Sequence, residues 1–110
     1  MVTYGSPFGG AARTRTLVAL RLMGASYSRE LARVLGSALS GVQAALRGLE
    51  RDGLVAGRAM GRTRVYELNP RYFAKSELAA FLDKLGTADV ELRRQLDALR
   101  RRPRRSAKPL

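Results

Sequence analysis

Residues 28–55 read "SRELARVLGSALSGVQAALRGLERDGLV". Two short apolar periods are joined through small residues around Gly36 and closed by Gly53. In the first period, Leu31, Ala32 and Leu35 share one face of a helix expected to begin after Tyr27. Ser28 is the expected N-cap, and Glu30 sits in the first turn, where negative charge suits the helix dipole. Gly36 falls where a helix ends in the left-handed conformation that glycine adopts without penalty. The second period starts around Leu39–Ser40, turns Val42, Ala45, Leu46 and Leu49 inward, and ends at "RDG" with Gly53 as its cap. Two helices joined by so tight a turn make a helix-turn-helix unit. Ala32 is small enough for the second helix to cross close over it, Gly36 makes the bend, and Val42 fills the wedge between the helices.

Beyond Gly53 the period changes from helical to alternating. "LVAGRAMGRTRVYEL" predicts two short antiparallel strands, about 54–58 and 63–68, around a loop at Ala59–Arg62. Asn69–Pro70 stops the second strand. Upstream, "AARTRTLVALRLMG" suits a helix from Ala11 that Gly24 terminates, with Leu17 and Leu20 on one stripe and Val18 and Met23 beside it. Residues 1–10, rich in Gly and Ser, are expected to be a flexible N-terminus. Downstream, a helix resumes at Ser76 or Glu77. Leu78, Leu82, Leu85, Leu92, Leu96 and Leu99 then follow a four-three spacing if Asp89 occupies one seam position. Gly86–Thr87 either breaks this run, with Thr87 capping the next helix, or the register passes through. Two uses of the leucines are open: packing on the domain itself, or a seam in residues 86–100 against a second subunit. The remainder, 101–110 within "RRRPRRSAKPL", is expected to be a disordered basic tail.

A chain of 110 residues suffices for one domain with a modest core, and few aromatics make that core mostly aliphatic. With neither Cys nor His, thiol nucleophiles, imidazole bases and the usual zinc ligands are excluded. "GRAMGRT" lacks the spacing and the lysine of a phosphate-binding loop. No cofactor is implied and an enzyme is not expected. The net charge of +12 predicts attraction to polyanions, nucleic acid above all. From Arg93 onward there are eight Lys/Arg against one acid, so the end of the chain carries more than half of the surplus. The apolar run Leu17–Met23 is short and contains Arg21, so no membrane span is expected, and the cytoplasm is the expected location.

"YSRELARVLGSALSGVQAALRGLERDGLV" followed by "GRTRVYELNP" resembles the winged helix-turn-helix transcription regulators of the ArsR/MarR-like group. The resemblance covers about Ala11 to Leu85, the expected DNA-binding domain (11–85). It implies a mainly α fold with a small β-hairpin and one or more extra C-terminal helices. It also implies a homodimeric repressor of transcription on double-stranded DNA, the helix after Gly36 entering the major groove and the hairpin acting as the wing. The outward face of the reading helix is then Leu39, Ser40, Gly41, Gln43, Ala44 and Arg47. Gln43 suits the N6/N7 edge of adenine, Ala44 a thymine methyl, and Ser40 a phosphate at the helix start. Arg62 suits a narrow minor groove, with Arg58 and Arg64 on phosphates and Arg29 and Arg33 reaching the backbone from the first helix. Metal-thiolate sensing, known in part of the ArsR-type family, has no ligands here. The face is thin in hydrogen-bonding groups, which leaves two other readings open. One is a nonspecific architectural nucleic-acid binder; the other is a winged-helix interaction module that docks on a partner such as a nucleotidyltransferase.

Overall fold

In the computed structural model, residues 5–101 are described. The element order is α1 (Ala11–Met23), β1 (Ser26–Tyr27), α2 (Ser28–Leu35), α3 (Leu39–Arg51), β2 (Val55–Met60), β3 (Thr63–Leu68), α4 (Lys75–Ala88) and α5 (Val90–Arg101). The three strands form one antiparallel sheet in the order β1-β3-β2. This is a winged helix-turn-helix with two further helices.

The glycines at the two helix ends behave as their positions demand. Gly36 adopts φ 64, ψ 34, its N–H reaching the Arg33 carbonyl while the Ser37 N–H reaches that of Ala32. Gly53, at φ 85, donates to Glu50, and the Leu54 N–H returns to Leu49. Both are the paired closing bonds of a helix that ends on a left-handed residue. Val42 is 2% exposed and Ala32 7%, so the wedge between the two helices and their crossing point are filled.

Three local expectations need correction. Ser28 does not cap α2: the cap position is Tyr27, and no side chain caps it. The preceding Ser26 hydroxyl instead donates to Glu30 at 2.8 Å. The wing strands are longer than their hydrophobicity suggests, because β2 runs on to Met60, paired with Thr63, leaving only Gly61 and Arg62 in the turn. Cross-strand backbone bonds extend the hairpin into residues that bury nothing. Finally, α1 is buried nearly all round from Thr16 to Leu20, since it packs against α2, α3, α4 and β3 at once. Within the segment expected to be flexible, Phe8 is half-buried against the core, its ring 5.8 Å from that of Phe81. The expected tail beyond Arg101 lies outside the described residues.

The C-terminal leucines decide more. Leu92 (0% exposed) and Leu96 (4%) belong to the same core as Leu17, Leu31 and Leu82, with Leu99 packed on its edge. Of the two uses left open for these leucines, those of α5 take the first, packing within the chain chiefly against α2 and α4. The boundary expected between residues 85 and 86 crosses this core. Gly86 does not break α4. It is buried, and a Cβ there would stand 3.0 Å from Leu22, so glycine lets α4 lie close on α1.

The break comes at Asp89. Its carboxylate accepts the Leu92 N–H at 3.1 Å and lies 3.5 Å from the Arg15 guanidinium. Asp89 is therefore the cap of α5, in place of Thr87, whose hydroxyl bonds back to the Asp83 carbonyl. Replacing Asp89 with alanine removes the cap and should lower stability by about 1–2 kcal/mol. Asp89→Asn keeps an acceptor and should lose less, an order that thermal unfolding of the two variants would check.

Candidate nucleic-acid interface

The helix-turn-helix and the wing meet around a cleft of about 590 Å³. It is lined by Tyr27, Ser28 and Arg29 from β1 and α2, by Gln43, Arg47 and Glu50 from α3, and by Arg62, Thr63, Arg64 and Tyr66 from the wing. Residues 43, 47 and 50 are spaced four and three apart, which stacks them on one helix face. The wing contributes by alternation. Gly57 pairs with Tyr66 and Ala59 with Arg64, while Arg58 pairs with Val65 and Ala56 with Glu67. Directly opposed residues share a sheet face, so Arg64 and Tyr66 look into the cleft and Arg58 and Glu67 look away from it.

Ion pairing then separates the arginines. Arg58 is held by Glu67 at 3.1 Å and Arg64 by Glu50 at 2.7 Å. The hydrogen bond to Glu50 raises the Arg64 pKa above the ordinary guanidinium value. Arg64 also donates to the Gly57 carbonyl and lies over the Tyr66 ring, 5.8 Å from its centroid. Elsewhere Arg13 is tied to Asp52 and Arg21 to Asp83. Among the described residues, Arg29, Arg33, Arg47, Arg62, Arg71, Arg93 and Arg100 are exposed and form no ion pair with a carboxylate. Three of these seven, Arg29, Arg47 and Arg62, line the cleft.

Ser40, Gly41, Gln43, Ala44 and Arg47 are exposed on α3, as their outward placement requires. Leu39 departs from that set: it is half-buried and packs on the core, closing the edge beside the turn. Arg33 points to the other side of α2, where it borders Gln95, Ala98 and Leu99 of α5. No side chain caps the start of α3, so the first-turn N–H groups keep no side-chain acceptor. A helix start in that condition offers donors to an anion.

The sequence reading missed Tyr27, Ser28, Glu50, Thr63 and Tyr66 as cleft residues. The alternation of Arg62, Arg64 and Tyr66 was a usable signal for Tyr66. Glu50 carried one too, since it lies one turn beyond Arg47. Tyr27 carried none, because it joins the cleft through β1, a strand of two residues paired with Tyr66 and Val65.

No protein-family model matches the chain, and no curated protein matches it. Among solved structures, it is similar to a mutant of Lactococcus lactis ZitR, with TM-score 0.61 and 14% sequence identity. The likeness covers 90% of this chain and 66% of that one, so this chain spans just under two thirds of ZitR's length there. At that identity the likeness supports the winged-helix fold and nothing finer. Among the described residues, no helix is long and apolar enough to cross a membrane.

Proposed function

We propose that this chain is a sequence-specific DNA-binding regulator of transcription, working in the cytoplasm as a repressor that occludes its site. The observation that carries this reading is the cleft, where unpaired Arg29, Arg47 and Arg62 surround Gln43 between the exposed α3 face and the wing tip. The α3 face, from Ser40 to Arg47, enters the major groove, and Gln43 reads an adenine edge. Arg62, at the hairpin turn beside Gly61, enters the adjacent minor groove. Arg29 and Arg47 take phosphates, and the open N–H groups at the start of α3 take another. No chemistry is performed; the activity is binding.

A homodimer on a two-fold site would place half-sites about 34–36 Å apart. Its subunit contact would use surfaces other than Leu92 and Leu96. Phe73 (92% exposed), Val90 (55%) and Phe81 (44%) are the large apolar side chains left outside near α4 and the start of α5.

The reading is tested by selecting bound sequences from a random duplex library at physiological salt. The expected result is an enriched motif whose preference at one base pair disappears with Gln43→Ala, a loss of about 1–3 kcal/mol against the preferred sequence. A motif that survives Gln43→Ala intact would remove Gln43 from the readout. Binding without enrichment would favour the architectural reading, which gains support from Gly41 and Ala44 offering no hydrogen bonds.

A further inference from the structure

One anion stands among the cations of the cleft, and it holds one of them. Glu50 lines the same space as Arg29, Arg47 and Arg62, and its carboxylate accepts from Arg64 Nη2 at 2.7 Å. We propose that Glu50 limits the sequence-independent part of DNA binding by holding Arg64 across Tyr66 and away from phosphate. The inference rests on the DNA-binding reading above.

The hold is built from more than one contact. An isolated surface ion pair is weak and would yield readily to a phosphate. Here the guanidinium also lies over the Tyr66 ring and donates to the Gly57 carbonyl at 3.3 Å. The space it lies in exists because residue 57 has no side chain. A Cβ there would fall 2.8 Å from Arg64 Nε and 2.9 Å from Tyr66 Cε1. Transfer of Arg64 to a phosphate would also leave the Glu50 carboxylate unpaired in a groove filled with phosphates, where like charges repel. Both effects keep Arg64 on Glu50 when DNA is present. Remove the carboxylate, and the strand alternation that aims Arg64 into the cleft delivers it to the backbone. Nonspecific affinity rests on such contacts, so it would rise without any gain in base readout.

The test is an anisotropy titration of a random-sequence duplex over a salt series. Glu50→Gln is expected to steepen the fall of log K with log salt by about 0.9 and to tighten binding about eightfold at 0.1 M salt, the counterion contribution of one phosphate contact. Adding Arg64→Gln to Glu50→Gln should return the slope to that of the original chain. Gly57→Ala reaches the same end by another route, displacing the guanidinium with Glu50 intact, and is expected to steepen the slope as well. Thermal unfolding of each variant verifies that it folds. An unchanged slope in both Glu50→Gln and Gly57→Ala would overturn the proposal. So would a steepening that persists in the double variant, because loss of the carboxylate alone would then explain it. Duplex binding by the original chain with no response to Glu50→Gln and Gly57→Ala sinks this inference only. No duplex binding at any salt sinks the DNA-binding reading and this one with it.

Discussion

Leu92→Ala should destabilise the folded chain by about 3 kcal/mol, within the range found for leucines truncated in packed cores. Leu92 is 0% exposed and belongs to the buried core, where α5 packs chiefly on α2 and α4. Truncation removes three heavy atoms and leaves a cavity that α2 and α4 cannot both collapse to fill, since Asp89 fixes the start of α5 and Arg100 bonds the Leu22 carbonyl near its end. For a domain of this size the melting temperature should fall by roughly 10–20 °C. The loss should be the same at low and high protein concentration. A leucine seam between subunits would behave otherwise, because its truncation would shift a monomer–dimer equilibrium and make the effect concentration-dependent. Thermal unfolding of Leu92→Ala at two widely separated concentrations distinguishes the two outcomes. A concentration-dependent loss would return the seam to the interface between subunits.

The same helix shows where sequence periodicity stops informing. The spacing of Leu92, Leu96 and Leu99 specifies a helix with one apolar stripe, and the stripe is real. Nothing in that spacing names the surface that covers it, because α2 of the same chain and α5 of another would satisfy it equally. The helix-turn-helix was legible for the opposite reason. Its partners are adjacent in the chain, so Ala32, Gly36 and Val42 constrain one another through a turn of three residues. Gly53 was legible as a left-handed helix end, whereas Gly86 looked like a breaker. The difference lies in the close approach of Leu22, sixty-four positions earlier in the chain, which local sequence does not record.

The site divides in the same way. The exposed stripe Ser40 to Arg47 follows from helical phase once the inward residues are known. Which arginines are free to bind does not, since every arginine counts alike in the net charge of +12. Arg58 and Arg64 looked equivalent in "RAMGRTR", yet register puts them on opposite faces of the wing and gives each a different carboxylate. Thr14 and Thr16 were equally unreadable as core. They are buried because α1 has neighbours on every side, and the Thr14 hydroxyl is satisfied by the Phe8 N–H at 3.3 Å.

If local pairing decides binding, replacing Arg29, Arg47 and Arg62 together with alanine should reduce duplex affinity about 500-fold at 0.1 M salt, eightfold for each contact. Three lost cation contacts at about 0.9 each would flatten the salt dependence by about 2.7 log units per log unit of salt. The fold should survive, because all three side chains are exposed and none forms an ion pair among the described residues. The informative comparison is Arg21→Ala with Arg58→Ala. That pair also lowers the formal charge by two, but Arg21 is held by Asp83 at 2.8 Å and Arg58 by Glu67 at 3.1 Å. Its slope should change by far less than the 1.8 or so that two phosphate contacts are worth. Binding driven only by the long-range field would respond to formal charge, and the two sets would then fall on one line per charge removed. Salt titrations of the same duplex with both variants therefore test whether the cleft, rather than the charge of the whole chain, meets the DNA.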